Sequence, residues 1–119
     1  MSKQKLTFKQ RVALNLWSHY VSNQAKIPEL RQLFWESTLR CNLNCRHCGS
    51  DCHSTAGLKD MPLEDFLKVI DSITPHVDPH KVLIIVSGGE PLVRKDLERC
   101  GLEFYRRGYP WGMVSNGLF

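Results

Sequence analysis

Apolar residues along this chain recur at two alternating spacings, which together predict three helices interleaved with three strands. Over residues 7–22, Ala13, Leu16, Trp17 and Tyr20 fall at i, i+3, i+4 and i+7, the spacing of one helix face. Pro28 breaks that pattern and marks a linker. Residues 33–39 mix aromatic, apolar and β-branched positions and read as a first strand. Asp60 stands where an N-cap belongs, Pro62 falls in a first turn, and Leu63, Phe66, Leu67, Ile70 and Ile73 follow at helical spacing. Pro75 and Pro79 bracket the exit of that helix. Residues 81–87 form a short, continuous apolar run, as expected of a strand buried on both faces of a parallel sheet. Leu97, Cys100, Gly101 and Phe104 make a further helical stripe ended by Gly108, and residues 112–115 read as a third strand.

Strands that alternate with helices argue for a parallel α/β architecture. The alternation also fixes where polar residues collect. A cysteine-rich segment follows the first strand, Gly88, Gly89 and Glu90 follow the second, and Ser115, Asn116 and Gly117 close the third. Parallel barrels build their active sites from the loops at the carboxyl ends of their strands. All three clusters are therefore expected to meet on one face.

Composition narrows the class. With 119 residues, 42% hydrophobic and 24% charged, the chain has the make-up of a soluble globular domain and not of a disordered one. The net charge of +4 is modest, and its local excess at Lys3, Lys5, Lys9 and Arg11 suits a solvated helix face. A nucleic-acid surface would need a clustered basic stripe with aromatic platforms, so nucleic acid is not expected as a partner. No stretch approaches the roughly 20 apolar residues of a membrane span. Asn15, Ser18, His19 and Ser22 interrupt anything resembling a secretion signal. There are five cysteines, four of them within twelve positions. An odd, clustered set fits a disulfide framework poorly and a metal site in a reducing cytoplasm well.

Those cysteines carry the candidate chemistry. Cys41, Cys45 and Cys48 stand in a Cys-x3-Cys-x2-Cys spacing. Thiolates are soft ligands for zinc or iron-sulfur clusters, and either use leaves one position to be filled from elsewhere. A zinc site could be completed by Cys52, His47 or His53. Zinc modules more often use two separated Cys-x2-Cys pairs, and this chain has no second pair. Cys100, on the apolar stripe of a helix, reads as a small core residue. Cys52 reads as a spectator thiol or a ligand to an auxiliary cluster. Trp35 suits core packing, and Glu36 is placed to face a barrel lumen.

The cysteine triad, with residues 88–91 (Gly88, Gly89, Glu90, Pro91) about forty positions on, strongly resembles the radical S-adenosylmethionine (SAM) superfamily. The longer run from Phe34 to Cys52 is similar to a subgroup paired with lipoproteins in Bacteroidetes-type bacteria. The resemblance implies the N-terminal half of a partial (β/α)6 TIM-like barrel, occupying residues 29–119 behind a helical extension and linker at 1–28. A full barrel of this plan needs about twice the chain, so the piece is expected to be the front part of a longer protein and inactive alone, with an exposed strand edge.

In chemical terms the resemblance implies that Cys41, Cys45 and Cys48 hold a 4Fe-4S cluster whose open iron chelates SAM. Reductive cleavage then gives a 5'-deoxyadenosyl radical that abstracts hydrogen from a substrate. An electron donor such as flavodoxin or ferredoxin would feed the cluster, and the subgroup points to a peptide or protein as substrate. Gly88 and Gly89 would let backbone approach the amino-acid end of SAM, Glu90 would offer a complementary charge, and Pro91 completes the motif. His47 departs from the aromatic residue usual before the third cysteine, where it would lie near the adenine. Ser115 and Asn116 resemble a segment near the cofactor at the third strand end, although Asn-Gly is also a common turn pair. A non-catalytic iron-sulfur or zinc module, serving electron transfer or structure, is the alternative. A second alternative is an interaction fragment that docks a partner through its first helix.

Overall fold

The computed structural model describes residues 6–55 and 57–118; Lys3, Lys5 and Phe119 lie outside the described residues. Three helices and three strands follow in the expected order: α1 (Phe8–Lys26), β1 (Gln32–Thr38), α2 (Leu63–Ile73), β2 (Leu83–Gly88), α3 (Leu97–Arg106) and β3 (Trp111–Met113). The strands form one parallel sheet ordered β1-β2-β3, in which Trp35 pairs with Val86 and Val86 with Met113.

One face of this sheet carries the core. Leu63, Phe66, Leu67 and Ile70 of α2 and Cys100 and Phe104 of α3 pack with Trp35, Val82, Ile84, Val86 and Tyr109. Trp35 anchors the cluster: its ring stacks on Phe66 at 4.4 Å and meets Phe104 edge-on at 6.1 Å. Such offset and edge-on contacts favour the quadrupoles of both rings. Gly101 lets α3 settle onto the sheet, because a Cβ there would lie 2.2 Å from the Trp111 ring. The Tyr109 hydroxyl, buried at the far end, lies 2.8 Å from Thr74 Oγ1. Gly108, at φ 81°, ends α3 as its position predicts.

The other face departs from expectation. Residues 81–87 read as a strand buried on both sides, yet only Val82, Ile84 and Val86 are fully buried while Leu83, Ile85 and Ser87 are half-buried. Phe34 on the same side of β1 is 61% exposed. The apolar run is fit for two-sided burial, but among the described residues helices cover one side only.

Two further expectations are corrected. Helix α2 begins after Pro62, and Asp60 does not cap it. Its carboxylate turns instead toward β1, accepting from Thr38 Oγ1 at 2.7 Å and Arg40 Nη2 at 2.6 Å. Helix α1 extends four residues beyond its predicted end and buries none of its residues. A capping box starts it: Gln10 N–H donates to Thr7 Oγ1 at 3.3 Å, and Thr7 N–H donates to Gln10 Oε1 at 2.9 Å. No described helix is long and apolar enough to cross a membrane.

Candidate metal and cofactor centre

The three strand exits meet, as the parallel topology requires. Where β1 and β2 end, the chains cross at close quarters: Gly89 N–H donates to Thr38 O at 2.7 Å and Glu90 N–H to Arg40 O at 2.9 Å. A Cβ on Gly88 would lie 2.1 Å from Thr38 O, and one on Gly89 the same distance from Arg40 O. The paired glycines are therefore demanded first by the approach of the chain to itself.

Glu90 lies inside the fold. Its side chain is fully buried, and its two carboxylate oxygens accept from the backbone amides of Leu92 at 3.1 Å and Asn116 at 2.7 Å. The first bond caps the short 3-10 turn at Pro91–Val93, with Pro91 buried at its first position. The second ties the second strand exit to the third. The charge is spent inside the fold, where two amides compensate its burial.

The third exit is a turn and also a neighbour of the cysteines. Gly117 takes φ 70°, and its N–H donates to Ser115 Oγ at 3.0 Å. Asn116 Nδ2 donates to Asn42 Oδ1 at 2.9 Å and lies 4.0 Å from Cys41 Sγ. Asn42 Nδ2 in turn donates to Leu118 O at 2.6 Å.

The cysteines themselves are free thiols. Cys41 is half-buried and receives the Leu43 N–H at 3.5 Å; Cys45 is exposed, as is His47. Cys48 is half-buried. The backbone amide of Cys52, then that of Ser50, hold its thiol below the usual value. Asp51, between those two residues, takes φ 47°. Cys52 is buried, and burial followed by the neighbouring Cys48 sulfur pushes its thiol up to about 11. Cys100 is fully buried, and burial again raises its thiol to about 11, as befits a core residue. Glu36 lies on the uncovered sheet face and accepts from Ser50 Oγ at 2.8 Å. Among the described residues no group of three His, Cys, Asp or Glu side chains sits close enough to share one metal ion.

Arg94, four residues past Glu90, went unread in the sequence. Its side chain is 4% exposed and donates to Ser37 O at 2.6 Å, to Met61 O at 3.1 Å and to both Asp96 oxygens. It also lies over the Trp35 ring, 4.9 Å from its centre. It fastens the base of the cysteine loop to the segment following Glu90. A single arginine beside a glycine motif carries no periodic signal that would have marked it.

Comparison with known proteins gives this geometry a family. A sequence model of the radical SAM superfamily matches residues 35–119, from the middle of β1 onward. The chain belongs to the radical SAM superfamily. Members of this superfamily use a 4Fe-4S cluster together with SAM. The donor set fits such a cluster: three unbridged thiols on one open loop.

Among curated proteins the chain is 33% identical over 70 residues to an AdoMet-dependent heme synthase of Oleidesulfovibrio alaskensis, covering 59% of this chain and 17% of that protein. It is 31% identical over 83 residues to an Fe-coproporphyrin III synthase of Methanosarcina barkeri, covering 70% of this chain and 20% of the relative. The chain thus spans about a fifth of the length of these relatives. No solved structure matches.

Proposed function

We propose that this chain supplies the cluster- and SAM-binding part of a radical SAM enzyme, with Cys41, Cys45 and Cys48 as cluster ligands. The observation that supports it is the joining of three strand exits in one hydrogen-bonded unit, from Cys41 through Asn116 to Glu90. When bound, the cluster supplies the electron that cleaves SAM to methionine and a 5'-deoxyadenosyl radical. The chain's own residues bind and orient. The amides around Cys48 favour its thiolate, the form that ligates metal. Gly88 and Gly89 hold the second strand exit against the root of the cysteine loop, and Glu90 and Pro91 set the turn beside it. His47, exposed between two ligands, and Ser115 and Asn116 line the region where SAM would lie.

The relatives' names support a tetrapyrrole of the heme series as the substrate class, ahead of the peptide implied by the run from Phe34 to Cys52. The matched region carries the cluster and SAM motifs, so an assay must decide between the two. The longest natural form of the protein, reconstituted anaerobically with iron and sulfide and reduced, is expected to form 5'-deoxyadenosine. Its Cys48→Ala variant is expected to form none. Consumption of an added iron porphyrin such as Fe-coproporphyrin III would support the tetrapyrrole class. Turnover indifferent to porphyrin would return the question to peptides. A full, reducible cluster that yields no 5'-deoxyadenosine would favour a non-catalytic iron-sulfur module.

A further inference from the structure

Two asparagines that face each other across the strand exits are arranged so that neither amide can rotate freely. Asn116 Oδ1 accepts from Leu118 N–H at 2.9 Å, which leaves its Nδ2 facing the cysteine loop. There Nδ2 donates to Asn42 Oδ1 at 2.9 Å. Asn42 Oδ1 must be the acceptor in that pair, because its own Nδ2 is committed to Leu118 O at 2.6 Å. Turning either amide over would set N–H against N–H or oxygen against oxygen, so the network fixes both orientations. The main chain holds Asn116 as well, through its N–H to the buried Glu90 carboxylate at 2.7 Å. The consequence falls on Cys41, whose sulfur lies 4.0 Å from Asn116 Nδ2 and 3.5 Å from Leu43 N–H. An amide nitrogen carries two hydrogens, and the one not given to Asn42 is available to the sulfur.

We propose that Asn116 is an N–H donor to the Cys41 sulfur and thereby raises the reduction potential of the cluster that sulfur binds, with Asn42 as the positioning residue that aims it. This rests on the reading of Cys41 as a cluster ligand. Reduction from the 2+ to the 1+ state adds one electron, supplied by a low-potential reductant, and neither makes nor breaks a bond. Part of the added charge falls on the ligand sulfurs, so a donor aimed at one of them stabilises the reduced state. The clamp joins the third strand exit to the first ligand, and so links the position of residues 115–118 to the ease of reduction.

The test is a redox titration of the reconstituted full protein followed by electron paramagnetic resonance, with iron content measured alongside. Asn116→Ala keeps the backbone bond to Glu90 and is expected to hold its cluster at a more negative potential than the wild type. Asn116→Asp puts a carboxylate beside the sulfur and is expected to shift further the same way. Asn42→Ala is expected to shift less, since Asn116 keeps its bond to Leu118. A potential unchanged or raised in Asn116→Ala overturns the proposal. If that variant holds no cluster, the Asn42→Ala potential decides by the same criterion. Loss of the cluster from both variants also overturns it, because the pair would then be a requirement of assembly. A wild type that assembles no cluster defeats the underlying reading, whereas a normal cluster with equal potentials defeats this inference alone.

Discussion

Helices α1 and α3 are both announced by four residues on one helical stripe, yet the structure treats them in opposite ways. Helix α3 has ten residues and buries Cys100, Gly101 and Phe104. Helix α1 has nineteen and buries none. The rest of each sequence explains the difference. Outside the α3 stripe the residues are mostly charged, so that helix has one face to hide, and it lies between two strands that pair with each other. In α1, Phe8, Val12, Leu14 and Val21 are exposed beyond the stripe of Ala13, Leu16, Trp17 and Tyr20. Its apolar residues do not sort onto one side. The radius of gyration, 19.5 Å against roughly 13–14 Å for a compact chain of this length, reflects how far that helix stands from the sheet. Helical spacing predicts that a helix forms; a place to pack must come from its neighbours in the chain.

Truncations should expose that difference most strongly. Phe104→Ala removes a ring that touches Trp35, Phe66 and Trp111, and is expected to lower stability by about 3–5 kcal/mol. Leu16→Ala, on the α1 stripe, is expected to stay within about 0.5 kcal/mol. Urea unfolding followed by far-ultraviolet dichroism measures both. A comparable loss from Leu16→Ala would mean that α1 packs in solution and would break the contrast.

The same reasoning shows what the sequence could and could not disclose. Element order, the Trp35 core position, the stop at Gly108 and the meeting of three polar clusters were legible, because each follows from periodicity, a backbone rule or parallel topology. The partners of Asp60, Glu90 and Arg94 were not. Asp60 looked like a cap from its place before Pro62, but Thr38 and Arg40, about twenty residues earlier, supply better donors. The two backbone partners of Glu90, in the turn at Pro91–Val93 and at Asn116, leave no local signal beside a glycine pair. Asn42 stood between two conspicuous motif residues without any signal of its own. Its partner lies 74 positions away, a separation that no local pattern encodes.

A pH titration sets the first strand exit apart from α1 through their charges. Burial alone would raise the Asp60 carboxyl, but hydrogen bonds from Arg40 and then Thr38 outweigh it and hold it below its usual value. A carboxylate depressed in the folded state contributes stability that is present above the unfolded value, near pH 4, and is lost as pH falls through the lower folded value. The wild-type urea midpoint is therefore expected to drop as pH falls from about 5 toward 2, and Asp60→Asn to flatten that drop. Helix α1 contains no Asp or Glu, so this window leaves its carboxylate balance untouched. An acid limb identical in both proteins would show that Asp60 does not couple the strand exit to stability.

The smallest expected effect probes α1 by itself. Thr7→Ala removes the side-chain oxygen that receives Gln10 N–H, and the returning bond from Thr7 N–H to Gln10 is left without its reciprocal partner. Loss of such a cap costs about 1 kcal/mol of helix stability. Because α1 buries nothing, that cost should appear as faster amide hydrogen exchange near residues 8–12 while the global urea midpoint stays where it was. Exchange reports local opening and the midpoint reports the core, so together they ask whether the two regions share one cooperative unit. A midpoint that falls by the full cost of the cap would show that they do, and the exposed helix would then have to be counted as part of the fold it stands beside.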